Sequence, residues 1–282
     1  MSVPELDFGG QGATLVFLHA NGYPPACYRP LLELLSRHFR VRAPLLRPLW
    51  SNEEASRLED WHIFSRDLLQ YLQENALDSV IGVGHSIGAV TLLRAALWQP
   101  QPFRALVLLD PVLFRPSFML FWNLVRALGL GYRMHPLIPL ALRRRRTFDN
   151  LELVFKAYRQ RPVFRYFSDE SLWAYIRGIV QPAQDGTYTL IYPPEWEARI
   201  YFTGVWRDWD IWRHVPHLRP PTLILRGAET DTFLEPTARL LQRRAPHVQV
   251  QTLEKTTHLL PLERPQAVAE AIRSFLKTTL ME

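Results

Sequence analysis

Short runs of consecutive apolar residues alternate along this chain with longer segments in which apolar residues recur every three or four positions. A continuous apolar run is typical of a strand covered on both faces, and the longer recurrence is typical of an amphipathic helix. The pattern predicts strands at 14–18, 39–43, 80–83, 105–109, 221–225 and 248–251, and helices at 30–38, 60–75, 89–97, 236–244 and 265–277. This alternation predicts an α/β fold, with a mostly parallel, doubly wound sheet and helices on both of its faces.

The alternation stops after residue 110 and resumes at 221. The block between them, 113–216, is rich in aromatic residues and contains six of the nine tryptophans. Its pattern is mostly helical at first and becomes irregular beyond Val180. We therefore expect a core domain made of residues 1–112 and 217–282, with 113–216 inserted as a largely helical cap over the carboxyl edge of the sheet.

The composition and the apolar segments indicate in which cellular compartment the protein is expected. One cysteine, Cys27, excludes an intramolecular disulfide, so the fold does not depend on an oxidising environment. The first residues lack the basic and apolar segments of a secretory signal. The longest apolar stretch, 118–132, is interrupted by Asn123 and Arg126 and is too short to span a bilayer. We expect a cytoplasmic protein with no stable membrane span. We interpret 118–132 as a cap helix packed on the core, with an exposed docking or membrane-surface helix as the alternative.

The formal net charge is +6, and nearly all of the basic residues are arginines. Four consecutive arginines at 143–146 form the one dense cluster. Such a run is typical of a solvated surface segment, and attraction to anionic lipid or an acidic ligand is the alternative. No nucleic-acid-binding motif accompanies it, so we expect no nucleic-acid partner.

The pentapeptide Gly84-His85-Ser86-Ile87-Gly88 joins the strand at 80–83 to the helix at 89–97. In such a turn the middle residue is forced into a strained backbone conformation, and glycines flank it because a Cβ atom would clash in the tight crossing. The serine oxygen then lies above the sheet at a helix N-terminus, where free N–H groups favour negative charge. The motif and its context predict that Ser86 is a nucleophile.

A serine hydroxyl becomes nucleophilic at neutral pH only with a base within hydrogen-bond reach, and the base needs an orienting acid. His258 is the best candidate for the base. It follows the last predicted strand, on the loop before the last helix, where open α/β sheets place their sites. We expect His85, next to the serine, to pack or hydrogen-bond locally rather than to carry a proton.

Three carboxylates are candidates for the orienting acid. Asp231 follows the strand at 221–225, Glu229 lies two residues earlier in the same loop, and Asp110 ends an earlier strand. Asp followed by Pro is a common helix start, which gives Asp110 a structural interpretation. We prefer Asp231, which directly follows a strand on a turn marked by Gly227, and the order Ser86, Asp231, His258 is also the chain order expected for this strand–turn–helix motif. Glu229 and Asp110 stay open as alternatives.

Attack at a carbonyl produces an oxyanion that needs two N–H donors. We expect one donor to be the backbone N–H of Ile87, next to the nucleophile. The second is assigned to Asn21, in the loop after the first predicted strand, with Ala20 as the alternative. We expect His19 to brace this loop through side-chain hydrogen bonds.

Four segments together resemble the α/β-hydrolase fold superfamily, in particular its lidded, esterase- or lipase-like members with a serine nucleophile. The segments are Leu18-His19-Ala20-Asn21-Gly22, Gly84-His85-Ser86-Ile87-Gly88, Arg226-Gly227-Ala228-Glu229-Thr230-Asp231 and Thr257-His258-Leu259-Leu260-Pro261-Leu262-Glu263. The resemblance implies a sheet of about eight strands with a helical lid, and a catalytic triad of Ser86, Asp231 and His258. That triad needs no cofactor, and the sequence shows no metal-binding constellation. Ala20 stands where a glycine is usual, and the loop that leads to Asp231 is one residue longer than the common Gly-x-x-Asp.

The leading hypothesis is therefore hydrolysis of a carboxylic ester of an apolar or aromatic small molecule through an acyl-serine intermediate. The turn at Gly84–Gly88, the nucleophile elbow, carries a serine rather than an aspartate, which argues against dehalogenase and epoxide hydrolase chemistry. The aromatic cap predicts an apolar pocket, to which we assign Phe121 and Trp122, together with His85. Hydrolysis of a C–C bond, a lactone or an amide by the same triad is the alternative. A ligand-sensing or partner-binding protein with this fold is the alternative from another class.

Overall fold

The computed structural model describes residues 2–280. Within this range the strands are β1 (Glu5–Gly9), β2 (Thr14–Leu18), β3 (Arg40–Pro44), β4 (Val80–His85), β5 (Phe103–Leu109), β6 (Thr147–Phe148), β7 (Val180–Pro182), β8 (Tyr188–Leu190), β9 (Thr222–Gly227) and β10 (Gln249–Leu253). The helices are α1 (Arg29–Ser36), α2 (His62–Glu74), α3 (Ile87–Trp98), α4 (Pro116–Ala127), α5 (Gly131–Met134), α6 (Leu137–Leu142), α7 (Leu151–Arg159), α8 (Asp169–Gly178), α9 (Pro194–Thr203), α10 (Trp209–His214), α11 (Glu235–Arg244), α12 (Leu260–Glu263) and α13 (Pro265–Leu280). Every strand and helix that the hydrophobic pattern predicts is confirmed, with ends that differ by a few residues.

The main sheet has seven strands in the order β1-β3-β2-β4-β5-β9-β10. Strand β1 runs antiparallel to β3, and the other neighbouring strands are parallel. The predicted mostly parallel α/β sheet is confirmed. The sheet has seven strands, whereas the resemblance implied about eight. Within the described residues, β1 is the one strand of this sheet that adds to the six predicted from the hydrophobic pattern. The hydrophobic pattern missed β1, whose residues are only partly buried at the edge of the sheet.

The two faces of the sheet bury two separate apolar clusters. Alternate residues of a strand point to opposite faces, and in β2 Val16 and Leu18 join one cluster while Leu15 and Phe17 join the other. Helices α2 and α3 cover the first face, and α1 and α13 cover the second. All of these strand residues are almost fully buried, which explains why their sequence reads as continuous apolar runs.

The chain between β5 and β9 forms helices α4 to α10 and a small antiparallel sheet in the order β6-β8-β7. Its buried side chains extend both apolar clusters of the core: Trp122 and Trp196 belong to the first, and Phe148 and Leu172 to the second. The apolar stretch 118–132 lies in α4, α5 and the turn that joins them. Across residues 2–280, the structure contains no helix that combines the length and the hydrophobicity required to cross a membrane.

Candidate active site

Ser86 is the single residue between β4 and α3. Its backbone has φ of 59° and ψ of −118°, a conformation that is strained for any residue with a side chain and is found mainly at functional sites. Glycines allow the surrounding chain to close in. A Cβ atom on Gly88 would lie 2.3 Å from the carbonyl oxygen of Leu18, and one on Gly84 would lie 2.6 Å from the backbone of Gly88. The turn therefore holds the serine at the end of β4, as the motif predicted.

The side chain of His258 contacts both Ser86 and Asp110. Its Nε2 atom lies 3.0 Å from Ser86 Oγ, and its Nδ1 atom lies 2.7 Å from Asp110 Oδ2. An ionised carboxylate only accepts hydrogen bonds, so Nδ1 carries the proton and the Nε2 lone pair accepts from the serine hydroxyl. The carboxylate is fully buried and the imidazole is 23% exposed. These three side chains form the arrangement in which a histidine base activates a serine.

Asp110 is held in place by hydrogen bonds to the neighbouring strand β9 and the loop that follows it. It follows β5 with a φ of 40°, and its N–H donates to Leu225 at 2.7 Å. Its carboxylate accepts from the backbone N–H of Gly227 at 3.1 Å and from the hydroxyl of Thr230 at 2.5 Å. With the bond from His258, the buried charge has three donors, which offset the cost of removing it from water.

The preference for Asp231 as the orienting acid is wrong in this structure. Asp231 is exposed and accepts a hydrogen bond from the hydroxyl of Thr232, not from His258. In this loop Thr230 turns towards the site and Asp231 turns towards solvent. The alternative Glu229 is also wrong, since its carboxylate accepts from Arg165 and Tyr166 at the surface. Asp110, the third candidate, is the residue that contacts the imidazole.

The loop that carries His258 is held from its other side by Glu263. This carboxylate is almost fully buried and accepts from the Thr257 N–H and the Thr257 hydroxyl, both at 2.7 Å. Burial raises the pKa of Glu263, and these two donors act against that rise. The imidazole is therefore positioned by contacts on both sides, with Asp110 on its ring and Glu263 on the preceding residue.

The predicted oxyanion donors differ from their alternative in whether the backbone N–H already has an acceptor. Among residues 2–280, no hydrogen-bond acceptor is paired with the N–H of Ile87 or with the N–H of Asn21. The N–H of Ala20 is taken, because it donates to the Tyr28 hydroxyl at 3.1 Å. Ala20 is thus removed as the alternative donor. Ile87 and Asn21 stay as predicted, since no contact in the structure tests the donation itself.

His19 holds the loop that carries Asn21. Its Nδ1 atom lies 2.8 Å from the carbonyl oxygen of Ala20, and its Nε2 atom accepts from the N–H of Leu46 at 3.1 Å. Burial lowers the pKa of His19 to about 4, so the ring is neutral and bonds with one donor and one acceptor. The expected bracing role of His19 is confirmed.

His85 links the two loops that meet at Ser86. The Tyr28 hydroxyl, which accepts from Ala20, donates to His85 Nδ1 at 2.7 Å, and His85 Nε2 donates to the carbonyl oxygen of His258 at 2.8 Å. Burial lowers the pKa of His85 well below its ordinary value, which keeps the ring neutral. Both ring nitrogens are occupied and the ring is fully buried. His85 is therefore a local hydrogen-bonding residue, and its assignment to the substrate pocket is wrong.

The other two pocket residues lie on opposite faces of α4. Trp122 is buried in the core cluster, with its ring 5.4 Å from that of His135. Phe121 is 51% exposed on the outer face, so its side chain does not line a buried pocket in this structure. The structure does not support the assignment of Phe121 to the substrate pocket, and the assignment of Trp122 to it stays a prediction.

A buried ion pair lies over the oxyanion loop. Arg144 contacts Glu197 at 2.6 Å, and a Cβ atom on Gly22 would meet both side chains within 3.0 Å. The side-chain amide of Asn21 donates to the backbone carbonyl of Glu197 at 3.0 Å. Of the four arginines at 143–146, this one is therefore not part of a solvated surface.

Sequence reasoning missed Tyr28, Thr230 and Glu263. Tyr28 lies in a segment without a motif, and only the folded chain shows that its hydroxyl reaches Ala20. Thr230 and Glu263 were visible inside the quoted segments, but their roles depend on which side chain each loop turns inward. Within residues 2–280, no group of three or more His, Cys, Asp or Glu side chains is arranged to hold a metal ion.

Comparisons with known proteins agree with this fold. A sequence model described as "Alpha/beta hydrolase family" matches residues 15–271. Epoxide hydrolase 3 of Xenopus tropicalis is 27% identical over 281 residues, which cover 93% of this chain and 71% of that protein. The structure of E-2-(acetamidomethylene)succinate hydrolase matches with a TM-score of 0.76 at 19% identity, over 97% of this chain and 94% of that one. The esterase Rv0045c of Mycobacterium tuberculosis matches with a TM-score of 0.71 at 21% identity, over 98% and 88% of the two chains.

Proposed function

This chain belongs to the alpha/beta hydrolase family, and we propose that it is a serine hydrolase that cleaves a carboxylic ester of an apolar or aromatic small molecule. The observation that carries the proposal is the line of hydrogen bonds from Ser86 Oγ through His258 to the buried Asp110. A hydroxyl needs such a base to attack a carbonyl at neutral pH, and the base needs a fixed acceptor to hold its tautomer. Both requirements are met by residues on three different loops at one edge of the sheet.

The proposed reaction has two halves. His258 Nε2 takes the proton of Ser86 as Oγ attacks the ester carbonyl, and the oxyanion is stabilised by the N–H groups of Ile87 and Asn21. Collapse breaks the C–O bond, and the alcohol leaves with the proton held by His258. A water molecule then gives a proton to His258 as it attacks the acyl carbon. The bond to Oγ breaks, the acid is released, and His258 returns the proton to Ser86 Oγ. Asp110 stays ionised throughout and stabilises the imidazolium that forms twice.

A neutral substrate suits the surroundings of the oxyanion loop better than an anionic one. Arg144 is the cation nearest to Gly22, and its charge is already compensated by Glu197. Tyr175 and Tyr192 are buried and lie close enough to this pair to interact with it electrostatically. A substrate carboxylate would have to compete with Glu197, whereas an apolar acyl or aryl group gains from burial alone.

A serine nucleophile also separates this proposal from epoxide opening, the reaction in the name of Epoxide hydrolase 3. Attack of a serine oxygen on an epoxide carbon would give an ether, which offers no carbonyl for water to attack. Attack on an ester gives an acyl-serine that water cleaves. C–C bond, lactone and amide hydrolysis share the acyl-serine step and remain the alternatives within the same machinery.

We further propose that residues 113–216 act as a cap on a core formed by 1–112 and 217–282. The bond from the Asn21 amide to Glu197 supports this proposal, because it connects the oxyanion loop directly to α9 of the insertion. We propose a cytoplasmic location, since Cys27 is a free, buried thiol and the fold has no need of an oxidising compartment. Cell fractionation with an antibody to the chain tests the location.

The test of the function is turnover of a short-chain aryl ester such as p-nitrophenyl butyrate by the purified chain. We expect Ser86→Ala to lower kcat by roughly 10⁴-fold or more, as for other triad nucleophiles. A fluorophosphonate probe should label Ser86, and mass spectrometry of the labelled peptide locates the modification. Wild-type protein that binds the ester without turnover would favour the ligand-sensing alternative. Faster turnover of a vinylogous diketo acid than of any ester would favour C–C hydrolysis.

A further inference from the structure

The outer surface of the insertion exposes an unusual number of apolar side chains. Of the sixteen large apolar side chains that the described residues expose, eleven lie between residues 118 and 142. We call this surface the α4–α6 apolar face, and its most exposed members are Leu120, Phe121, Leu124, Leu128, Met134 and Leu140. It runs along three consecutive helices that contact one another in sequence. Most monomeric proteins bury or scatter such residues, so a continuous set indicates a contact surface.

Helix α4 shows why this face is unlike an ordinary cap surface. Its inner face buries Met119, Trp122 and Val125 in the core. Its outer face carries Leu120 and Leu124, which are 66% and 57% exposed. A helix that only covers a core has polar residues on its solvent side. Helix α4 is apolar on both sides, so its outer side requires a second apolar environment.

The segment of the chain that forms the face carries charged residues of one sign. Residues 111–148 contain seven arginines and neither aspartate nor glutamate. Arg115, Arg133 and Arg143 are exposed, and none of them makes an ion pair with any part of the chain that the structure describes. Exposed leucines accompanied by unpaired arginines form a surface that is both apolar and cationic.

We propose that the α4–α6 apolar face docks on the surface of an anionic phospholipid membrane. Such a surface supplies both things that the face lacks, an apolar layer for the leucines and negative headgroups for the arginines. A second copy of the chain supplies only the first. Two copies joined through this face would bring their uncompensated arginines together, which disfavours that contact. The leucines then enter the boundary between headgroups and acyl chains, and the helices lie along the surface without crossing it.

The test is co-sedimentation of the full chain with phospholipid vesicles. We expect the partition coefficient to be roughly tenfold or more higher for vesicles with about one-third phosphatidylglycerol than for pure phosphatidylcholine, because only the former attract the arginines. Raising the salt concentration should reduce binding to the anionic vesicles.

Two sets of substitutions separate the apolar and the cationic contributions. The first replaces Leu120, Leu124 and Leu128 by Asp, and the second replaces Arg115, Arg133 and Arg143 by Gln. The control for the leucine variant combines Leu153→Asp, Val163→Asp and Leu234→Asp. The control for the arginine variant combines Arg37→Gln, Arg104→Gln and Arg243→Gln. All six residues are exposed and lie outside the face. Either face variant should lose most of the binding to anionic vesicles, and both controls should keep it. The arginine variant keeps the test valid if the leucine variant does not fold, as circular dichroism will show.

Three results would overturn the proposal. They are no preference of the wild type for anionic vesicles, equal loss of binding in the face variants and their controls, and a wild-type dimer that the leucine variant dissociates in analytical ultracentrifugation. The last result would assign the face to a second copy of the chain. Because the variants do not touch the serine site, their aryl ester turnover should equal that of the wild type. A failure of membrane docking is thereby distinguished from a failure of the proposed esterase activity.

Discussion

The Nδ1 atom of His258 lies 2.7 Å from Asp110 Oδ2, at the end of the strand next to the one that carries Ser86. Asp110 is also a hydrogen-bond acceptor for Thr230, a residue of the very loop that was expected to supply the acid. That loop therefore positions the carboxylate instead of providing it. His258 is therefore held by the buried carboxylate of Asp110, and the position of that carboxylate depends on both β5 and β9.

This relationship predicts that Asp110→Asn lowers kcat for an ester by roughly 10⁴-fold, because an amide at this position no longer fixes the imidazole tautomer. Asp231→Asn is the matched control, since the same change one loop away leaves His258 untouched. Steady-state kinetics of both purified variants with the same aryl ester gives the answer. Loss of activity in Asp231→Asn with full activity in Asp110→Asn would show that the carboxylates exchange roles in solution.

The Tyr28 hydroxyl is predicted to position the oxyanion loop. In Tyr28→Phe, the N–H of Ala20 and the Nδ1 atom of His85 both lose their partner, at a cost of about 1–3 kcal/mol in unfolding free energy. The freed loop should displace the Asn21 N–H, and kcat should fall roughly tenfold to a hundredfold with little change in KM.

Tyr23→Phe is the control for this prediction. Tyr23 lies close to the same loop, and its hydroxyl makes no hydrogen bond to any other described residue. Stability from urea unfolding and kcat from ester turnover should both stay near the wild-type values. If Tyr23→Phe and Tyr28→Phe behave alike, the hydroxyl of Tyr28 has no positioning role.

The fold was predictable because each core strand is buried on both faces. Residues such as Leu15 and Val16 point to opposite clusters, and both clusters are apolar, so the strands read as uninterrupted apolar runs. The hydrophobic pattern did not predict β1, because β1 is an edge strand that carries charged residues. For the outer face of α4 the sequence left two interpretations open, a packed cap helix and an exposed docking helix, since exposed leucines look like core residues in a sequence.

The site was predictable where backbone geometry decides it and unpredictable where side-chain direction does. The elbow requires Ser86 between glycines, and the last loop requires a base, so Ser86 and His258 followed from chain position. The acid did not, because the spacing of residues does not tell that Thr230 faces the site and Asp231 faces solvent. The turn of Asp110 into a positive φ leaves no mark in the spacing of residues.

Arg94 is predicted to contribute far more to stability than an arginine in an exposed ion pair. It is fully buried on α3 and pairs with Asp208, which is 1% exposed, and with Asp210. Arg94→Met leaves Asp208 as a buried, uncompensated carboxylate, so the unfolding free energy should fall by about 3–5 kcal/mol. Arg146→Met breaks an exposed pair with Glu195 and should cost at most about 1 kcal/mol. Urea denaturation of both variants compares the two losses, and a similar loss in each would contradict the prediction.

The same network predicts a decline of stability at alkaline pH. The pKa of His62 is raised to about 9, first because its ring donates to Asp210 at 3.1 Å and then because Asp60 lies 3.0 Å from its other nitrogen. In the unfolded chain a histidine has a pKa of about 6.5. Between these values the folded state binds the additional proton, so the unfolding free energy decreases as the pH rises. The stabilisation is complete below about pH 6.5 and disappears as the pH passes about 9, with a total on the order of 1–3 kcal/mol.

His62→Gln removes the titrating group while keeping a side chain that donates a hydrogen bond. Urea unfolding at about pH 6, 7.5 and 9 should give a falling free energy for the wild type and a flatter dependence for the variant, so that the two curves converge at the alkaline end. Other groups that titrate in this range affect both proteins equally and cancel in the difference. Parallel curves for the two proteins would mean that His62 does not hold its proton between Asp60 and Asp210. Convergence at the acidic end instead would reverse the sign and show that burial, rather than these carboxylates, controls the ring.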